Sequence, residues 1–318
     1  MSIAKLHILL STYNGETYLE ELLDSVLGQS YPSIQLHVRD DGSTDSTVSI
    51  LQRYQAKDER ISVELGSNIG VQASFYSLLE SVADTTGYFA FCDQDDIWDP
   101  QKLEVAVNMI QASERPDAAL YFSRLSCVDS RNQPLYDTEI PRDPGFFNAL
   151  VENSAIGCTC VFGNYLRSNF LRGHPAHMIM HDWWLYLCAA SNGILIYDAV
   201  PRIRYRQHEN TATPREPGIS RLRNRFRGLL ARLGSGETSL ESLRQANHFL
   251  ATYPDCDPLL RATLEKLNTS HGIRGVFSRL SFILGTHLHR NNRLETLALK
   301  IVILFDLYLC DSAPFVHV

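Results

Sequence analysis

Asp93, Asp95 and Asp96 stand within four residues of one another, directly after the apolar run 88–92. Carboxylates this close repel one another unless a cation or solvent relieves them. Hard oxygen donors of this kind suit Mg2+ or Mn2+, ions that in turn neutralise phosphate charge. The plainer alternative is a solvated acidic turn ahead of a helix that starts at Asp99-Pro100. A second pair, Asp40 and Asp41, sits in Arg39-Asp40-Asp41-Gly42-Ser43-Thr44-Asp45, again behind an apolar run. Adjacent carboxylates at a strand end suit hydrogen bonding to a base imide or to ribose hydroxyls, whereas Asp45 needs no more than a helix-capping role.

The elements that must carry these groups are legible from periodicity. Residues 6–10, 35–39, 61–65 and 88–92 are short apolar runs bounded by turn residues, and 18–27, 46–54 and 71–82 between them are amphipathic at helical spacing. That alternation predicts βαβ units and a mostly parallel sheet whose ligands gather at the carboxyl ends of the strands, where both acidic segments fall. A helix over 102–110, a strand over 118–125, a surface loop over 129–144, apolar elements at 158–162, 183–190 and 193–197, and a linker over 211–218 follow. The first strand runs into Ser11-Thr12-Tyr13-Asn14-Gly15-Glu16. Gly15 alone makes no dinucleotide fingerprint, which disfavours hydride transfer.

Taken in order, these segments resemble glycosyltransferase family 2 of the GT-A fold, and more closely its bacterial rhamnosyltransferase-like branch. The matching stretches are Ser11-Thr12-Tyr13-Asn14-Gly15 with Tyr18-Leu19, Asp40-Asp41-Gly42-Ser43-Thr44-Asp45, Asn68-Ile69-Gly70, Asp93-Gln94-Asp95-Asp96-Ile97-Trp98, His181-Asp182-Trp183-Trp184 and Tyr205-Arg206-Gln207-His208. The resemblance implies an α/β fold: a Rossmann-like, mostly parallel sheet with helices on both faces, followed by a helical C-terminal region. It implies that Thr12, Tyr13, Glu16, Asp41 and Asn68 border the donor nucleoside. Asp93 and Asp95 match the family's D-x-D motif, with Asp95 the direct ligand of Mn2+ or Mg2+ and Asp93 nearer the ribose and sugar. Asp182 matches the catalytic base of inverting members, and His208 lies where related enzymes place a contact to the diphosphate or metal.

Elementary chemistry agrees with that division. Inverting transfer needs one base for the attacking hydroxyl, and the departing diphosphate needs charge relief. Asp182 lies beside Trp183 and Trp184, a pair that could offer sugar-stacking surface; on a helix they point about 100° apart, so one is expected in the core. For Asp182 the alternative is an ordinary first-turn carboxylate favoured by the helix dipole. His208 alone reads more often as a surface histidine; its company in Arg204-Tyr205-Arg206-Gln207-His208 favours a functional role moderately, and Arg204 and Arg206 fit ordinary strand residues equally well.

With 318 residues and a formal charge of -7, the chain can hold a catalytic domain over 1–214 and a helical region over 215–318. The acidic balance excludes nucleic acid held through a general basic field. The expected partners are a dTDP- or UDP-sugar donor and a saccharide or lipid-linked saccharide acceptor, as in polysaccharide synthesis for a cell envelope. The start of the chain shows no cleavage-site pattern, so a cytoplasmic protein with free buried thiols is expected. Residues 294–310 are apolar but interrupted by Glu295, Lys300 and Asp306, which predicts a buried or interfacial helix. Leu222, Phe226, Leu229, Leu230 and Leu233 form an apolar stripe beside five arginines. That pattern predicts an amphipathic basic helix, with peripheral membrane contact, self-association and packing on the catalytic domain all left open. Two other functions stay open: a metal-dependent sugar nucleotidyltransferase, against which the missing Gly-rich basic loop counts, and an inactive carbohydrate-binding scaffold.

Overall fold

The computed structural model describes residues 3–84, 86–208, 241–254, 256, 258, 261–262, 275–285 and 287–304. In chain order the strands are β1 Leu6–Thr12, β2 Ile34–Asp40, β3 Ile61–Leu65, β4 Tyr88–Cys92, β5 Ile97–Trp98, β6 Ala119–Ser123, β7 Ser126–Val128, β8 Pro134–Asp137, β9 Val161–Gly163, β10 Ile194–Asp198 and β11 Ile203–Arg206. The helices are α1 Leu19–Leu27, α2 Thr47–Gln55, α3 Val71–Ser81, α4 Lys102–Gln111, α5 Phe146–Ala149, α6 Asn164–Phe170, α7 His181–Asn192, α8 Glu241–Thr252, α9 Val276–Gly285 and α10 Arg293–Leu304.

Seven strands form one sheet in the order β10-β6-β9-β4-β1-β2-β3. Every neighbouring pair is parallel except those involving β9, which runs antiparallel to β4 and β6. A sheet covered on both faces must bury both sides of each central strand, which is why β4 reads Tyr-Phe-Ala-Phe-Cys without alternation and is buried throughout. The covering helices show the complementary pattern. On α1, Leu19, Leu22, Leu23 and Val26 recur at helical spacing and are buried, each large side chain contributing about 1.5–3 kcal/mol of hydrophobic stabilisation. Glu20 and Glu21 stand in the first turn, where the helix dipole favours them.

The expected α/β architecture is observed, with differences of detail between β5 and β11. Of the run 118–125, Ala118 ends a 3-10 turn and 119–123 form β6; β7 follows at 126–128 and leaves the main sheet. A second sheet, β5-β11-β7-β8, takes its place beside the acidic segment. The stretch expected as loop at 129–144 contains β8, because Asp129 turns the chain back. Its carboxylate accepts the N–H groups of Arg131 and Gln133 at 2.9 and 2.8 Å, and Asn132 adopts a left-handed φ of 62°. The apolar element at 183–190 lies within α7.

Residues 3–140 and 153–214, where described, form one compact unit, and 141–152 with the described part of 215–318 form another. Within the second, Asn148 donates to the His289 carbonyl at 3.3 Å and Glu152 accepts the Asn291 N–H at 2.6 Å. Helix α10 covers the described part of the apolar run at 294–310, burying Leu299, Val302 and Ile303 while Leu294, Leu297 and Ile301 are exposed. Among the described residues no helix is long and apolar enough to cross a membrane. The basic helix expected around Leu222 to Leu233 and the linker at 211–218 lie outside the described residues.

Candidate active site

The carboxyl ends of β1, β2 and β4 lie side by side, since β1 pairs with both of the others. At the end of β1 the buried Thr12 hydroxyl donates to Asp40 Oδ1 at 2.9 Å, and the other Asp40 oxygen accepts the Ser43 N–H at 2.8 Å. This turn passes through Gly42 at φ 84°, a left-handed conformation that a side chain would strain. Asp41, 3% exposed, accepts from Arg39, from the Ile69 N–H at 2.9 Å and from the Gly70 N–H at 2.9 Å. Both of its oxygens are therefore engaged in holding the loop that presents Asn68, which is itself exposed. Tyr13, 47% exposed, and Glu16 stand at the rim. The Glu16 carboxylate accepts the Ser46 N–H at 2.8 Å and so links the two turns.

The acidic segment follows β4. Gln94, between Asp93 and Asp95, makes two hydrogen bonds to the backbone of Tyr13. Its neighbour Asp95 receives His208 Nε2 at 2.8 Å, and the His208 ring lies 5.1 Å from that of Tyr18. Arg206, for which the sequence leaves a functional and an ordinary strand role open, is buried and central. Its guanidinium donates to the Asp95 carbonyl at 3.0 Å, to the Ser130 carbonyl at 3.0 Å and to Glu21 at 2.6 Å, and it lies 4.4 Å from the Tyr18 ring centre. Its N–H also donates to Asp96 Oδ1 at 3.2 Å.

Asp182 opens α7 and is buried. One oxygen accepts the Gly157 N–H at 2.8 Å, while Oδ1 has no hydrogen-bond partner among the described residues. Its neighbour His181 is stacked on Phe75 at 4.0 Å and meets the edge of Phe91 at 4.7 Å. Burial in that aromatic setting pushes the imidazole down to about 4, so it is neutral near pH 7. Of the adjacent tryptophans, Trp184 is core and Trp183 is half-buried. The elements thus bring Asp182 close enough to Asp93 that their charges interact. Burial first, then the charges of Asp95 and Asp182, hold the Asp93 carboxyl above the ordinary carboxylate range. Burial, reinforced by Asp95 and Asp93, does the same to Asp96.

The donor set fits a hard divalent cation. Asp95 and His208 approach within 2.8 Å and Asp93 is two residues away, which offers carboxylate oxygens and one imidazole. A second convergence, Asp93, Asp96 and Cys158 within 4.8 Å, adds a soft sulfur. Burial and the nearby charges of Asp96 and Asp93 keep the Cys158 thiol protonated, so it suits Mn2+ or Mg2+ less well. Beneath the cluster lies Lys102, fully buried, with Nζ 3.3 Å from the Trp98 ring centre and its pKa pushed down by burial to about 8. Cys158 and Lys102 escape the sequence reading of the site, while Gln94 and Arg206 lie inside matching stretches but are assigned no role there. A polar residue inside an acidic motif was the one signal that could have picked out Gln94.

Residues 7–189 match the family model "Glycosyl transferase family 2". The dTDP-rhamnosyl transferase RfbG of Shigella flexneri is 30% identical over 220 residues, covering 63% of this chain and 72% of that protein. TuaG of Bacillus subtilis is 34% identical over 155 residues, covering 48% of this chain and 60% of its own length. Among solved structures, S. aureus TarS 1-349 in complex with UDP superposes with a TM-score of 0.56 at 18% identity, over 89% of this chain and 76% of that one, a likeness of fold.

Proposed function

We propose that this chain, which belongs to glycosyltransferase family 2, transfers a sugar with inversion from a nucleoside-diphosphate donor to a saccharide hydroxyl. The observation that carries this reading is the convergence, at the carboxyl ends of β1, β2 and β4, of the Asp95–His208 pair, Asp93 and the half-satisfied carboxylate of Asp182.

In this reading Thr12, Tyr13, Glu16, Asp41 and Asn68 border the donor nucleoside, with Tyr13, Glu16 and Asn68 in contact and Thr12 and Asp41 shaping the turns from below. Asp93, Asp95 and His208 hold Mn2+ or Mg2+, with Asp93 also facing the ribose and sugar. The bound cation supplies charge relief to the departing diphosphate. Asp182 takes the proton of the acceptor hydroxyl as the anomeric carbon gains positive character. Its Oδ1 is the atom left for that proton, because Oδ2 already accepts from Gly157. One base is enough for a single displacement, and a single displacement inverts the anomeric centre.

Rhamnose carried on dTDP is the proposed donor, supported by the name of the Shigella relative. The proposed setting is polysaccharide synthesis on the inner side of the cell envelope, with a free or lipid-linked saccharide as acceptor. Residues 1–214 form the catalytic part, and 215–318 serve acceptor, membrane or subunit contacts. A screen of nucleotide sugars by thermal shift and donor hydrolysis, with and without Mn2+, tests the core of the reading. A donor at a hundredfold excess over its Kd stabilises by roughly 2.7 kcal/mol, a clear shift. Absence of any shift or hydrolysis across dTDP-, UDP- and GDP-sugars with Mn2+ present would overturn it.

A further inference from the structure

Beyond Leu10 and Cys92 the β1–β4 ladder ends, and both strands run out into the turns that form the two halves of the site. One side chain bridges the two turns. Gln94 Oε1 accepts the Tyr13 N–H at 2.9 Å, and Gln94 Nε2 donates to the Tyr13 carbonyl at 3.0 Å. The carboxamide therefore exchanges both hydrogen bonds with one backbone residue, the pattern of an antiparallel pair, where the strands themselves run parallel. Close by, a Cβ added to Gly15 would lie 2.4 Å from Gln94 Oε1 and 2.7 Å from Gln94 Cδ. Gly15 is not among the residues with positive φ, so what a side chain there would meet is the end of Gln94, which would have to swing off its two bonds to Tyr13 to make room.

We propose that Gln94 is a positioning residue that locks the nucleoside-facing turn after β1 to the acidic turn after β4, with Gly15 as the notch that admits it. The inference rests on the donor-binding reading above and adds a coupling to it. Gln94 stands between Asp93 and Asp95, so its amide fixes the backbone from which both carboxylates project, while its far end fixes Tyr13 at the opposite rim. The bonds secure an exposed turn and not the core, since Tyr13 is half open to solvent and Gln94 only half-buried. Their consequence is geometric: nucleoside and cation ends of the donor meet a site held at one spacing, which lowers the ordering cost of binding.

The test is a four-protein cycle of the full chain, Gln94→Ala, Gly15→Ala, the double variant and the parent, read in two ways. Without ligand, melting temperature checks the contact. Gly15→Ala should destabilise the parent and do so much less in the Gln94→Ala background, whereas equal losses in both backgrounds would overturn the notch. With dTDP-rhamnose and MnCl2, Gln94→Ala should raise the donor KM and the Mn2+ concentration for half-maximal turnover together. The expected rise is roughly tenfold, the worth of one to two hydrogen bonds, with kcat falling less. Gly15→Ala should do the same, and the double variant should be no worse than Gln94→Ala alone. An active parent whose Gln94→Ala variant keeps both constants, or loses only kcat, overturns the positioning role while leaving the proposed function standing. A parent inactive on dTDP-rhamnose and on every other nucleotide sugar overturns both.

Discussion

His208 Nε2 lies 2.8 Å from Asp95 Oδ2, joining the end of β11 to the acidic turn across 113 residues of sequence. The bond orients both groups from opposite sides: Asp95 through its backbone, which Arg206 grips at the carbonyl, and His208 through the Tyr18 ring beside it. A carboxylate and an imidazole already in contact before a cation arrives need little rearrangement to share one.

His208→Gln should therefore raise the Mn2+ concentration for half-maximal turnover by about 10- to 100-fold, the range seen when a ligand or its supporting partner is lost. Excess Mn2+ should restore most of the rate. Activity that stays low at saturating Mn2+ would give His208 a role toward the donor itself.

Arg206 carries a structural load that its charge does not reveal. Arg206→Met strips donors from the Asp95 and Ser130 carbonyls and from Glu21; Glu21 and Ser130 are exposed and can turn to water, so the cost falls chiefly at the half-buried Asp95 carbonyl, about 1–3 kcal/mol. The melting temperature should fall by about 5 °C, since in a domain of this size each kcal/mol is worth about 2–4 °C. Arg206→Lys should recover little, because a single ammonium cannot span three acceptors. A melting temperature within a degree or two of the parent would refute the assignment.

Acid should weaken the fold through buried histidines. Burial holds His181 and His37 down to about 4, and lowers His7 as well. Between that value and the ordinary 6.5, the unfolded chain binds protons that the folded chain refuses, so their contribution is full above pH 6.5 and is lost as pH falls toward 4. The neighbouring Asp182 charge opposes the shift at His181 without reversing it. For His181, fully enclosed by Phe75 and Phe91, the loss by pH 4 is on the order of 3 kcal/mol. Melting curves from pH 7.5 to 4.5 should show a shallower decline for His181→Phe than for the parent. Parallel declines would assign the acid sensitivity to other groups.

What was legible in the sequence follows from where the physical signal is local. Strand β4 announces itself because burial on both faces leaves no polar position, and α1 because its apolar residues recur at one face. The acidic motif is legible because three carboxylates crowd into four residues. Strand β5 has two residues and no period to read, and its partner β11 lies about a hundred residues on. Arg206 reads equally well as an ordinary strand residue until Glu21, Asp95 and Ser130, from three distant segments, are folded around it. The crowding at Gly15 is invisible for the same reason, since it comes from the space taken by a glutamine 79 positions away.

The sharpest separation of roles lies between Asp182 and Asp95, because a base and a cation ligand fail differently. Asp182→Asn keeps the side-chain shape, and its amide oxygen can still accept the Gly157 N–H, so α7 should stay in place. It can no longer take a proton, and transfer should fall by about 10²- to 10⁴-fold, the usual loss of general-base catalysis. Donor affinity with Mn2+ should stay close to that of the parent. Asp95→Asn removes a charge from the cation site and weakens the bond to His208, so Mn2+-dependent donor binding and turnover should fall together. Calorimetry of the donor with Mn2+ and transfer rates with a saccharide acceptor distinguish the two patterns. If Asp182→Asn folds normally yet loses donor binding, or retains near-parental transfer, the base is elsewhere; Asp96, buried beside the same turn, becomes the residue to change next.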